Sequence, residues 1–182
     1  RAICYALAVA IDRADAGPAA ERARWQARAD LLTPIAKAFS TDAGVEVAST
    51  GVQVFGGMGF IEEAGAARFY RDARIFPIYE GTNGIQAIDL VTRKLPLGDG
   101  AAVRDYLGEL RAECERVRGA NGPDLGEAPA ILTEALAAVE AATDRMLGWL
   151  AGTDAEREQA LAGASPYLRA FGLAAGGVYL AR

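Results

Sequence analysis

Apolar residues recur at helical spacing along almost the whole chain. Ile3, Leu7 and Ile11 open the pattern at intervals of four, which puts side chains on one helical face. Gly17-Pro18 stops this helix near Ala16. A second begins near Ala19, and Pro34 either kinks it or starts another. Ile35, Ala38, Val45, Ala48, Val52 and Phe55 then share one stripe. Gly44 and Gly51 on that helix read as points where a neighbouring helix packs closely. After a loop from Gly56 to about Gly65 and a charged segment, Arg68 to Arg74, comes a corner at Pro77–Gly81. Thr82 or Asn83 is suited to cap the next helix, which carries Ile85, Ile88, Val91 and Leu95.

Leu95-Pro96-Leu97-Gly98-Asp99-Gly100 reads as a linker. Beyond it lie packing seams: Val103, Leu107, Leu110, Cys114 and Val117, then Leu132, Leu136, Val139, Thr143, Met146 and Leu150. A turn is expected at Asn121–Asp124 between them. Thr153 with Glu156 reads as a capping box, and Ser165-Pro166 as a cap with a first-turn proline. The last helix offers Leu168, Phe171, Ala175 and Val178. No strand-like alternation is present, so the fold class is all-α, in two helical parts, 1–96 and 97–182. The pattern begins already inside a helix and closes without a stop signal, so the expectation is a segment of a longer polypeptide.

Composition narrows the chemistry. The 182 residues are 52% hydrophobic and 24% charged, with a formal charge of −5 and no basic run, which argues against a nucleic-acid surface. No apolar stretch nears the roughly 18 residues needed to cross a bilayer. Cys4 and Cys114 occupy apolar helical positions without metal spacing and are expected to be reduced core residues in a cytoplasmic protein. The chain has no His, which removes Ser-His and Cys-His dyads and His-based zinc sites. Proton chemistry near neutral pH then falls to a carboxylate, Lys or Tyr.

Gly57-Met58-Gly59 lacks the preceding strand and third glycine of a dinucleotide fingerprint. Glu62 and Glu63 have no accompanying metal ligands, and the arginines of 68–74 with Asp72 read as a local ion-pair network. Glu80 is different. It stands on a glycine-bearing corner before a helix, flanked by Ile75, Phe76, Ile78, Tyr79 and Ile85. A carboxylate enclosed by such groups can serve as a base in a dry site. A glycine loop at Gly56-Gly57, able to approach a ligand closely, completes an active-site architecture.

The runs TPIAKAFSTDAGVEVASTGVQ (33–53), QVFGGMGF (53–60) and RFYRDARIFPIYEGTNGIQAIDLVTRKL (68–95) resemble the C-terminal helical region of the flavin-dependent acyl-CoA dehydrogenases. About the first 96 residues are covered; residues 97–182 resemble the extra C-terminal helical segment of a longer-chain branch that includes sulfur-containing propionyl-CoA dehydrogenases. The resemblance implies a four-helix-bundle-like domain followed by a second helical segment. It implies FAD as cofactor, an acyl-CoA substrate, electron-transfer flavoprotein as acceptor and a homodimer or homotetramer.

Carried over residue by residue, the glutamate of IYEGT is the base, Glu80, with Tyr79 and Gly81 on the substrate side. The loop Gln53, Val54, Phe55, Gly56 and Gly57 touches the adenylate half of a neighbouring subunit's FAD, while Thr82, Asn83 and Gly84 contact FAD after the base. Phe55 stands where His is frequent in the branch, and Gly84 where Gln or Glu is frequent elsewhere. An acyl-CoA oxidase of the same fold, or a non-catalytic helical assembly module, are the alternatives. The isolated chain is expected to be inactive.

Overall fold

The computed structural model describes residues 1–120 and 125–181; the turn expected at Asn121–Asp124 lies outside them. Helices follow one another as α1 (Ala2–Ala16), α2 (Arg22–Val54), α3 (Gly57–Phe60), α4 (Ala66–Ala73), α5 (Asn83–Asp89), α6 (Ala101–Ala120), α7 (Ala128–Ala151), α8 (Asp154–Ala162) and α9 (Ala164–Ala181). A short 3₁₀ turn, Glu62–Ala64, precedes α4, and a π-helical turn, Leu90–Lys94, extends α5. No strand occurs among the described residues.

α2 is the axis of the molecule, in contact with α1, α4, α5, α6 and α9. Pro34 does not start a new helix: α2 runs through it, and Pro34 is itself buried beside Leu31, Leu32 and Ile35. Burial of those side chains, about 1.5–3 kcal/mol each, offsets the hydrogen bond that proline removes. The stripe expected along α2 is buried at Ile35 and Ala38 and loses its cover toward Phe55, which is exposed. Gly44 and Gly51 admit no neighbouring helix; a Cβ at either would meet open space.

One core runs through both halves of the chain, from Ile3 and Leu31 to Val103, Leu136, Phe171 and Val178. The seams on α6 and α9 are buried as their spacing predicts, and that on α7 is buried at its centre. Leu95–Gly100 is no slack linker, since Leu95 is 0% exposed. Gly98, Asp99 and Gly100 take positive φ in succession and turn the chain directly into α6. Arg28 joins α2 to α6: its guanidinium lies 4.3 Å from the Tyr106 ring centroid and 2.9 Å from Glu109. That pairing satisfies a charge that is otherwise buried.

Three local expectations change. Cys4 is exposed, facing Ser40 at 3.5 Å, whereas Cys114 is buried as expected. α9 starts at Ala164, with Tyr167 N–H bonding Gly163 O, so Ser165 lies inside the first turn and does not cap it. On α5 the π turn brings Leu90, Val91 and Leu95 into the core together with Ala87, leaving Ile85 and Ile88 exposed.

Candidate functional site

Three hydrogen bonds shape the corner that carries Glu80. Asn83 N–H donates to Pro77 O (3.1 Å), Gln86 Nε2 donates to Glu80 O (3.0 Å) and Lys37 Nζ donates to Gly81 O (2.7 Å). Glu80 and Gly81 both take left-handed backbone, at φ 55° and 78°. Glycine adopts that region freely, whereas a residue with a Cβ resists it. Glu80 is therefore held in a costly conformation by its surroundings. Thr82 caps α5 as expected, its hydroxyl accepting from Ile85 N–H at 3.4 Å.

Glu80 is exposed, and its carboxylate makes no hydrogen bond or short ion pair with the described residues. The backbone N–H groups of Glu80 and Gly81 are likewise without partners among them. The apolar shield expected from Ile75, Phe76, Ile78, Tyr79 and Ile85 does not close over the carboxylate, because all five are themselves exposed, Ile85 to 56%. These side chains face outward, so the chain alone leaves the Glu80 carboxylate uncovered.

The second expected element lies elsewhere. Gln53, Val54 and Phe55 are exposed at the C-terminal end of α2. Gly56 follows at φ 61°, ψ −142°, a conformation essentially reserved for glycine. Lys37, which touches the Glu80 corner, and Gln53 are on the same unbroken helix, separated by about 24 Å of helical rise. The glycine loop and the Glu80 corner therefore attach to α2 at different levels. Gly59 is glycine for packing, since a Cβ there would stand 2.3 Å from Val52 O. At Gly57 a Cβ would meet nothing within 4 Å, and its backbone is open to approach from outside.

Asn83 is committed to α2. Its Nδ2 lies 2.7 Å from Asp42 Oδ1, 2.9 Å from Thr41 Oγ1 and 3.1 Å from Ala38 O, and its Oδ1 accepts from Lys37 Nζ at 2.8 Å. The charges decide the amide's orientation, oxygen toward the ammonium and nitrogen toward the carboxylate. Its side chain and its backbone N–H, which donates to Pro77 O, are thus both engaged within the chain. Gly84 is exposed with ordinary φ. Sequence reasoning missed Lys37, Thr41, Asp42 and Gln86. For Lys37 no local signal was available, because its partners lie more than forty residues along the chain.

The description "Acyl-CoA dehydrogenase, C-terminal domain" matches residues 1–95. The chain belongs to the acyl-CoA dehydrogenase family. A second description, "Acetyl-CoA dehydrogenase C-terminal like", matches residues 106–182. The chain is 46% identical to 3-methylmercaptopropionyl-CoA dehydrogenase of Ruegeria pomeroyi over 92% of its own length and 28% of that protein's. It is 30% identical to the broad-specificity linear acyl-CoA dehydrogenase FadE5 of Mycobacterium tuberculosis, over 66% of its length and 20% of the relative's. The solved structure "Bd2924 apo-form" superposes with a TM-score of 0.65 at 21% identity, over 98% of this chain and 30% of the other, a likeness of fold. The chain thus spans under a third of these acyl-CoA dehydrogenases. No described helix is long and apolar enough to cross a membrane.

Proposed function

We propose that this chain is the base-bearing helical part of an FAD-dependent acyl-CoA dehydrogenase, with Glu80 removing the α-proton of an acyl-CoA thioester. The observation that carries the reading is the corner itself. Its carbonyls at Glu80 and Gly81 are tied to Gln86 and Lys37, while the Glu80 carboxylate and the two adjoining N–H groups are left unpartnered. A carboxylate takes the proton from C2. An N–H group of the same corner, donating to the thioester carbonyl, stabilises the negative charge that develops on its oxygen.

The residues present fit FAD at two places. Backbone at Gly56 and Gly57 is open, with no described atom within 4 Å of an added Cβ, and the exposed apolar side chains of 75–85 offer a surface for a flat aromatic ring. Gln53, Val54, Phe55, Gly56 and Gly57 would hold the adenylate half of one FAD, with the start of α5 at Thr82, Asn83 and Gly84 holding another. Bound FAD would supply the two-electron oxidant, receiving the hydride from C3 as the C2–C3 double bond forms. The family resemblance implies that the two places serve cofactors of different subunits, and with that a homodimer or homotetramer; their separation along α2 is compatible with it. Tyr79 and Gly81 would border the thioester. Electron-transfer flavoprotein is the proposed acceptor, in keeping with relatives that are named dehydrogenases.

The test is Glu80→Gln in the complete enzyme. It should bind FAD and acyl-CoA yet leave the flavin yellow on mixing; normal bleaching removes Glu80 from the role. Peroxide produced in place of reduced electron-transfer flavoprotein would make the enzyme an oxidase.

A further inference from the structure

Lys37 reaches the Glu80 corner from another helix. Its Nζ donates to Gly81 O at 2.7 Å and to Asn83 Oδ1 at 2.8 Å, bridging two points on the C-terminal side of the strained residue. Thr41 hydroxyl donates to Lys37 O at 2.7 Å, and Asn83 bonds onward to Thr41 and Asp42, so one and a half turns of α2 grip the corner as a unit. The grip has something to resist. Left-handed backbone at a residue with a Cβ costs roughly 1–2 kcal/mol, so Glu80 relaxes toward negative φ unless its neighbours prevent it. Gln86 restrains Glu80 O from within the same segment, whereas Lys37 ties the corner to the helix that anchors the core.

We infer that Lys37 is a positioning residue for the proton-abstraction step, holding Glu80 in the conformation from which it meets the substrate's C2 hydrogen. This rests on the reading of Glu80 as the base. Desolvation lowers the Lys37 pKa, opposed by the charges of Asp42 and Glu80. The ammonium is committed by hydrogen bonds to Gly81 O and Asn83 Oδ1.

The experiment uses the complete FAD-loaded enzyme and 3,3-dimethylbutanoyl-CoA, which has α-hydrogens but none on C3. Glu80 can then take and return the C2 hydrogen without oxidation, and solvent deuterium entering C2 reports proton abstraction alone. Lys37→Met should slow that exchange by about 10–100-fold, the usual consequence of a misplaced reacting group, while acyl-CoA affinity changes less than about threefold. Backbone amide exchange over residues 77–86 should quicken in the same variant. A folded, FAD-replete Lys37→Met enzyme with the parental exchange rate overturns the proposal, as does a loss explained wholly by weaker substrate binding. Should Lys37→Met fail to fold, Lys37→Gln is read instead. Its shorter neutral side chain reaches one acceptor at most; a loss of about fivefold or more supports the role, and parental exchange rejects it. Glu80→Gln separates the two claims: deuterium entering C2 at the parental rate in that variant sinks the base assignment itself.

Discussion

Gly172 of α9 lies directly against the Phe39 ring of α2, so that a Cβ at 172 would come within 2.5 Å of the ring. The contact brings α9, from the second half of the chain, onto the axial helix of the first. Substituting Gly172 by Ala should therefore destabilise the protein, although Ala is the better helix former by about 1 kcal/mol. Overpacking at such a contact costs typically 1–3 kcal/mol, and the expected result is a lower melting temperature. An unchanged or raised one would mean that Phe39 swings aside freely.

Asn83 supplies the second prediction. Asn83→Ala leaves Asp42 and Lys37 facing one another without the amide that joins them, and removes the tie from the α5 start to Ala38 O. Loss of one such partly buried network is worth about 1–3 kcal/mol, read as a shift in denaturation midpoint. Gly84→Ala one position on should be close to neutral for folding, because the nearest described atom to its added Cβ is the Thr82 hydroxyl at 4.0 Å.

The capping box at α8 gives a pH-dependent prediction. Glu156 accepts from Thr153 N–H and hydroxyl, and these hydrogen bonds lower its pKa. A carboxyl whose folded pKa is depressed stabilises the fold above its unfolded pKa and loses that contribution as pH falls through the folded value. Thr153→Ala should thus lower the melting temperature near neutral pH, and the gap to the parent should narrow below the ordinary carboxylate range. A gap that stays constant into strong acid would show that the Thr153 hydroxyl contributes nothing to holding the Glu156 charge, leaving that to the backbone N–H bond.

How much of this was legible in the residues differs from element to element. The seams on α6 and α9 could be read because a long amphipathic helix has one face to bury, and spacing identifies it. The capping box and the turn from Pro77 to Thr82 could be read because they are local: Thr153 meets Glu156, and Asn83 meets Pro77, within a few residues. Cys4 could not be placed, since it neighbours buried Ile3 one position away and a short helix tolerates either assignment. The shield over Glu80 was misjudged for a related reason. Apolar side chains at 75–85 signal that something will cover them, not that they cover their neighbour. Lys37 escaped notice because its partners lie more than forty residues away, beyond any local pattern.

Three glycines at the end of α2 make the sharpest remaining prediction, because each is glycine for a different reason. Gly59→Ala must fail structurally: its Cβ would strike Val52 O at 2.3 Å, displacing α3 from the helix end. Gly56→Ala should cost about 1–2 kcal/mol through its backbone conformation alone, since no described atom crowds it. Gly57 has ordinary φ and open space around its added Cβ, so Gly57→Ala should leave the melting temperature of the FAD-free protein within about 0.5 kcal/mol equivalent of the parent. Its cost should appear only on cofactor addition, as weaker FAD binding measured by flavin fluorescence. If Gly57→Ala binds FAD as the parent does, the loop at 53–57 is not the cofactor contact proposed for it, and the assignment of Glu80 stands apart from that result.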